Sequence, residues 1–329
     1  MSAADIAAAL RDRARFILAS HARPDGDAVG SQMALGLALR ALGKEIRLVS
    51  RDLVPGPYRD FPGVSEIEIT SRVDGPADAV VLLECSDLTR PGIEGFEPYF
   101  VINVDHHLGN AMYGDANWFD GGAAACAEMV ADIIDALGVT WTPEIASHLF
   151  LGIATDTGSF RHGPISARTF EACRRVAMAG VDPAALSRRI FDSFGIGRVK
   201  LTGTMLSQME LVHRGRLAIL QFDDALLQHC GATIDDTEGL VNLPLGAREV
   251  CVVALFKRQA DGTTRVSLRS KDIVDVRSVA GLWSGGGHKN AAGCTLTGDF
   301  AAQKAAVVAA LARAIDGSPM EVSRTSGSE

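Results

Sequence analysis

Residues 14–44 read ARFILASHARPDGDAVGSQMALGLALRALGK. The first seven, ARFILAS, have the near-continuous apolar pattern of a buried strand, and they run directly into His21. From Ala28 onward the apolar residues recur at helical spacing until Gly43 closes the run. Strand, short polar island and helix in that order are the opening of a parallel α/β sheet. The strand pattern returns in IRLVS (46–50), AVVLLE (79–84) and YFVINVD (99–105), with Pro/Gly-rich turns such as VPGPYRDFPGV (54–64) between. The spacing therefore predicts an α/β protein whose N-terminal domain is a parallel sheet with flanking helices. Polar islands follow its strands, at the end where open α/β sheets place their ligands.

A chain of 329 residues, 47% apolar and 22% charged, can bury two cores of ordinary size, so two domains are expected. The pattern divides into 1–185, a helical linker over 186–213, a smaller mixed-sheet α/β domain over 214–316, and a polar tail, 317–329, expected to be disordered. In the second domain, strands are expected near 216–222, 249–256, 264–270 and 293–297, with helices near 224–230, 275–283 and 300–315.

Several functional classes fall away on composition. No apolar run approaches the roughly 18 residues that a membrane span needs, so no membrane partner is expected. The six cysteines are scattered without a CxxC pair, which suits small core residues in a reducing cytoplasm. Residues 1–199 carry 18 Lys/Arg against 26 Asp/Glu, and residues 200–316 carry 13 against 12. Such a chain has no basic track for long duplex nucleic acid, whose binding needs many phosphate contacts. Any nucleotide ligand should be short, and cations must offset the acidity where phosphate docks.

Six islands carry the chemistry: SHARPDGDAVGS (20–31), ECSD (84–87), VDHH (104–107), ATDTGSF (154–160), VSLRSK (266–271) and GGGHKNAAG (285–293). The first four supply His and Asp; the last two supply Gly, Arg, Lys and His. Read singly, HARPDGDA also fits a turn with an Asp cap, and the Asp of ECSD fits a strand-end cap. The VDHH triplet resists that reading, because a buried strand end gains nothing structurally from three ionisable groups. Carboxylates mixed with imidazoles suit Mn²⁺, with Co²⁺, Fe²⁺ or Mg²⁺ as weaker candidates. Two such ions about 3.5–4 Å apart activate water and neutralise charge developing on a phosphoryl group, so the islands point to phosphoester hydrolysis.

In order and type the islands resemble the motifs of the DHH phosphoesterase superfamily, named for the triplet that here is Asp105, His106 and His107; GGGHKNAAG resembles the glycine-rich motif of its DHH-associated second domain. The resemblance implies a DHH catalytic domain holding two Mn²⁺, one on His21, Asp25 and Asp87, the other on Asp27, Asp87, His106 and Asp156. Asp87 would then bridge the ions. It further implies that Asp105 orients an imidazole and that His107 faces the scissile phosphate. Ser267, Arg269, Ser270, Gly285, Gly286, Gly287, His288 and Lys289 would bind substrate; Ser284 stands where many relatives have another glycine.

Length and layout are most similar to family members that hydrolyse short single-stranded oligonucleotides to mononucleotides and nucleoside bisphosphates such as 3′-phosphoadenosine 5′-phosphate (PAP) to AMP and phosphate. Homodimerisation is implied by the same resemblance. A phosphodiesterase for pApA or cyclic dinucleotides would use the same metals; a manganese pyrophosphatase or polyphosphatase shares the first domain; a nucleotide sensor on a degenerate hydrolase fold would have lost ligands.

Overall fold

The computed structural model describes residues 1–318 apart from His162, Glu238, Asp272, Ile273 and the side chain of His288; the polar tail expected to be disordered lies, from residue 319 on, outside the described residues. The chain forms two compact units, Met1–Ser193 and Phe194–Glu329.

The first unit runs α1 (Ala3–Arg11), β1 (Arg15–Ala19), α2 (Gly26–Ala41), β2 (Glu45–Ser50), α3 (Gly56–Arg59), β3 (Glu68–Ile69), β4 (Ala79–Leu83), β5 (Phe100–Asp105), β6 (Ala116–Phe119), α4 (Cys126–Leu137), α5 (Pro143–Asp156), α6 (Ala167–Met178) and α7 (Pro183–Phe191). Its six strands are ordered β3-β2-β1-β4-β5-β6, and every pairing is parallel. Strand alternation sends Phe16, Leu18, Val81, Leu83, Ile102 and Val104 into one core, which α1, α2, α4 and α5 complete. Ile17, Ala19, Val80, Leu82 and Val101 enter a second core on the opposite face, closed by Val73, Ile93 and Phe96 from connecting segments. Burial on both faces is why these strands read as unbroken apolar runs.

Helix α2 approaches α5 closely because glycine lets it. A Cβ on Gly30 would lie 2.4 Å from the His148 carbonyl oxygen and 2.8 Å from Gly152 N; one on Gly152 would meet Ala127 Cβ and Asp27 Oδ1, each at 2.5 Å. The same packing seals His148, which is fully buried on α5. Its Nε2–H donates to the Pro62 carbonyl at 2.8 Å, so Nδ1 is the unprotonated nitrogen, and it has no partner. Burial holds this imidazole down at about 4.

The second unit contains α8 (Ile196–Ser207), β7 (Glu210–Val212), β8 (Leu217–Phe222), α9 (Asp224–Cys230), β9 (Val252–Arg258), β10 (Thr264–Ser270), α10 (Val276–Gly281), β11 (Gly286–His288), β12 (Ala291–Leu296) and α11 (Phe300–Asp316). The sheet order is β11-β12-β10-β9-β8-β7, antiparallel except for β8 with β9. Helices α10 and α11 cover one face along β8, β9, β10 and β12. On the other face, α8, α9 and residues 240–241 pack on β8 and β9. The stretch 186–213 is thus shared: α7 belongs to the first unit, α8 and β7 to the second.

Replacing Gly30 by Ala should destabilise the protein by about 1–3 kcal/mol, as overpacking does, although alanine is the better helix former. The atoms in the way are backbone, so only separation of α2 from α5 can relieve the overlap. A urea midpoint at or above wild type would refute this account of the helix contact. His148 gives a pH signature. Its folded pKa lies below the ordinary 6.5, so its contribution is complete above pH 6.5 and is lost as pH falls toward 4, by about 3 kcal/mol at 1.36 kcal/mol per unit. His148→Gln keeps a donor without the titration, and its stability should fall less than that of wild type over this range; parallel pH–stability curves would count against it.

Candidate metal centre

The strand order brings distant islands together at one end of the parallel sheet. β1 lies between β2 and β4, and β4 between β1 and β5. His21 just beyond β1, Glu84 just beyond β4, and Asp105, His106 and His107 at the end of β5 therefore emerge side by side. The chain order reverses between β1 and β4, the switch point where open α/β sheets form a crevice. Helix α2 begins there with Asp25 and Asp27, and α5 ends there with Asp156.

Each group is oriented by a second contact. Asp25 is the N-cap of α2: its Oδ1 accepts the amides of Asp27 (3.1 Å) and Ala28 (3.0 Å), and its Oδ2 stands 3.7 Å from His21 Nε2. Asp27 is fully buried and accepts the first amides of α4, Cys126 N at 2.6 Å and Ala127 N at 2.9 Å, together with the Ser31 hydroxyl at 2.9 Å. The N-cap residue of α4, Ala125, offers no side-chain cap, so a carboxylate from another helix does that work. Carbonyl oxygens accept from Nδ1–H of His21 (Ala22, 3.0 Å) and of His106 (Ala123, 3.1 Å). This sets the tautomer and leaves Nε2 of both rings as the ligand atom. His107 donates its Nδ1–H to Asp105 Oδ1 at 2.8 Å, which places its Nε2 on the opposite edge of the ring. Despite burial, hydrogen bonds from His107 and Asn110 hold Asp105 below the ordinary carboxylate range.

Two groups of ligand atoms result among the described residues: Glu84, His106 and His107, and Asp27, His106 and Asp156, the atoms of each lying within 4.8 Å of one another. His106 Nε2 is 3.3 Å from Glu84 Oε1 and 3.6 Å from Asp156 Oδ2, yet neither it nor Glu84 Oε1 has a hydrogen-bond partner. Burial and then the Glu84 and Asp156 charges push Asp27 well above its usual range. Burial disfavours the charged form of His106, but Glu84 first, then Asp27 and Asp156, raise it to about 11. Sealed carboxylates crowded around imidazole atoms without partners call for a cation. Oxygen and nitrogen donors without a thiolate match the ligand set of a hard or borderline divalent ion.

Three expected ligands, His21, Asp25 and Asp87, are in neither group. Asp87 accepts from Thr89 N (2.8 Å) and Thr89 Oγ1 (2.5 Å), the capping role that its strand-end position suggests. The carboxylate that enters the cluster is Glu84, three residues earlier, 1% exposed, with its backbone at φ +64°. The signal lay in its position: an acid directly after AVVLL is carried inside with the strand.

In the second unit, the two-residue period of β10 separates the expected residues. Ser267 and Arg269 share the face that α8 and α9 leave uncovered, alongside Ala291 and Gly293 of β12. Arg269 is partly buried, and its Nη1 donates to the Leu268 carbonyl at 3.0 Å. Ser270 points to the other side, buried, donating to the Val274 carbonyl (2.7 Å) and accepting from Asn290 Nδ2 (2.8 Å), which ties it to the 274–290 segment. Gly285 and Gly287 pack where a Cβ would fall 2.3 Å from Gly293 O and 2.4 Å from Ala291 O, while Gly286 faces open space. Ser284 takes φ +54°, the left-handed conformation that glycine adopts more readily. Lys289 is exposed; the side chain of His288 lies outside the described residues.

Known proteins resemble this chain in sequence and fold. Residues 15–153 match the model of the DHH family, N-terminal domain, and residues 222–317 that of the DHHA1 domain. The bifunctional oligoribonuclease and PAP phosphatase NrnA of Thermus thermophilus is 36% identical over 286 residues, covering 85% of this chain and 84% of that protein. Among solved structures, an exopolyphosphatase-related protein from Bacteroides fragilis superposes with a TM-score of 0.86 at 23% identity, over 95% of both chains. The exonuclease RecJ bound to manganese shares the fold with a TM-score of 0.57 at 15% identity, over 97% of this chain and 95% of that one. The chain belongs to the DHH family, its first unit carrying the family's N-terminal domain and its second the DHHA1 domain.

Proposed function

We propose that this protein is a two-metal phosphoesterase that hydrolyses short oligoribonucleotides to mononucleotides and PAP to AMP and phosphate. The observation that carries the reading is the cluster of Asp27, Glu84, His106 and Asp156, with Asp27 and Glu84 buried and with Glu84 Oε1 and His106 Nε2 lacking hydrogen-bond partners, in a chain 36% identical to a protein named for both activities. In this assignment His21, Asp25 and Glu84 would hold one ion and Asp27, Glu84, His106 and Asp156 the other, with Glu84 shared. Mn²⁺ is the favoured occupant; Co²⁺ and Mg²⁺ fit the same donors. When bound, the ions supply a Lewis acid for the phosphoryl oxygens and lower the pKa of water.

The chain's own groups do the rest. Asp105 fixes the His107 ring through Nδ1–H, so that Nε2 serves as donor to the departing ribose 3′-oxygen. Water adds its oxygen to phosphorus as the bond to the 3′-oxygen breaks, and that oxygen gains a proton; one bond type is cleaved in both substrates. Ser267, Arg269 and the backbone of Gly285, Gly286 and Gly287 would take the terminal phosphate. Gly286 faces open space there, and the partly desolvated guanidinium is suited to a charge-assisted pair. His288 and Lys289 complete the substrate-binding set that we assign by motif. The acidic first domain and the absence of a basic track agree with short ligands. Among the described residues no helix is long and apolar enough to cross a membrane. The six cysteines are all unpaired, and we place the protein in the cytoplasm.

Two substitutions separate the carboxylates of ECSD. Glu84→Gln should lower Mn²⁺-supported release of mononucleotides from a trinucleotide RNA, and of phosphate from PAP, by roughly a thousandfold, the several kcal/mol that metal catalysis supplies. Asp87→Ala should stay within a few-fold of wild type and lose about 1 kcal/mol of stability, the worth of a cap; the reverse order would restore Asp87 as the shared ligand. For Arg269→Met, KM should rise roughly 10- to 100-fold, as expected for a hydrogen bond to a charged group, with kcat little affected. A wild-type KM in that variant would remove Arg269 from the phosphate site.

A further inference from the structure

Glu84 occupies a conformation that an ordinary residue avoids. A non-glycine residue at φ +64° is strained and persists where its surroundings over-determine it. The next peptide supplies that constraint. The Cys85 carbonyl oxygen accepts from Asn103 Nδ2 at 2.9 Å, Asn110 Nδ2 at 3.2 Å and Tyr113 Oη at 3.1 Å. A carbonyl has two lone pairs, so three donors converging on it are more than pairing requires.

The remaining hydrogens tie these donors to one another and to the site. Asn103 Nδ2 also donates to Tyr113 Oη at 2.9 Å, which leaves the phenol's single O–H for Cys85. Asn110 Nδ2 also donates to Asp105 Oδ2 at 2.7 Å, and the other oxygen of that carboxylate receives His107 Nδ1–H. The Ala111 amide donates to the Ser86 carbonyl at 2.8 Å, pinning the two segments together. Burial raises the Tyr113 phenol well above its usual range, so it remains a donor at every working pH. None of the three side chains belongs to the groups of ligand atoms. They reach it only through Glu84 and Asp105.

We propose that Tyr113, with Asn103 and Asn110, is a positioning residue: the clasp on the Cys85 carbonyl holds Glu84 in its strained backbone conformation, aims its carboxylate into the cluster and thereby sets the affinity for metal. The inference rests on the metal-centre assignment above. Asn110 extends the clasp, because the amide that grips Cys85 also steadies Asp105 and so His107. Relaxation of Glu84 and misdirection of His107 are thus opposed by one side chain.

The test is Tyr113→Phe in the full chain, which removes one hydroxyl and keeps the ring. Titration of Mn²⁺ followed by the EPR signal of the unbound ion should show weaker binding by roughly 10- to 100-fold, the usual loss for a partner that orients ligands. At saturating Mn²⁺, kcat and KM for a trinucleotide RNA should return to wild-type values, and the melting temperature of the metal-free protein should be little changed. A purely structural tyrosine would lower the melting temperature and leave the Mn²⁺ affinity alone, and that result overturns the proposal. If wild type binds no Mn²⁺, the metal assignment fails instead, and a crystal structure of the variant decides the clasp. Glu84 relaxed to negative φ sustains it; Glu84 retained at positive φ removes it.

Discussion

A carboxylate with no access to solvent, Asp27, meets the first amides of a helix that starts a hundred residues later, and the first unit is built around that meeting. The α4 amides at Cys126 and Ala127 lack a cap of their own and find one in α2. In return, those amides offset part of the cost of burying a carboxylate beside Glu84 and Asp156, a cost that still pushes Asp27 well above its usual range. The same carboxylate presses against Gly152, where any side chain would displace it. Three helices and the candidate metal cluster therefore share one oxygen pair. The packing of α2 on α5 and the placing of the ligands are a single structural fact.

How legible this was in the sequence varied with the physics of each part. The strands β1, β2, β4 and β5 announce themselves because burial on both faces makes them continuous apolar runs, and parallel order follows from the helical pattern between β1 and β2. Edge strands carry no such signal. β3 has two residues, β6 four and β11 three, two of them glycines, so neither period nor propensity marks them. Division of the chain near residue 193 was similarly faint, since α7 and α8 both look like good helices and only their packing assigns them to different units.

In the site, Asp27, His106, His107 and Asp156 could be picked out by residue type and spacing, and the fold brings them into the groups of ligand atoms, with His21 paired to Asp25 and His107 to Asp105. In the second island the sequence reading chose the aspartate three residues beyond the acid that joins the groups of ligand atoms. ECSD offers two acids, and resemblance favoured the aspartate, whereas position decides: Glu84 continues the buried strand and Asp87 begins the exposed turn. Ser270 shows the same limit in the other unit. Its neighbours Ser267 and Arg269 lie three and one positions away, both odd, so they face opposite to it, and only the known facing of β10 shows which parity meets the side that α8 and α9 leave free.

The parallel order of the first sheet has a consequence for synthesis. Neighbouring strands β1 and β4 are some sixty residues apart in sequence, and the ligand set opens at His21 and closes at Asp156, nearly half the chain. Contacts of such long range form late in folding. A nascent chain emerging from the ribosome therefore exposes lone carboxylates and imidazoles long before any ion can be enclosed by them. With the ligand set proposed above, an ion could be enclosed only once α5 is complete, so its uptake would follow the folding of this unit.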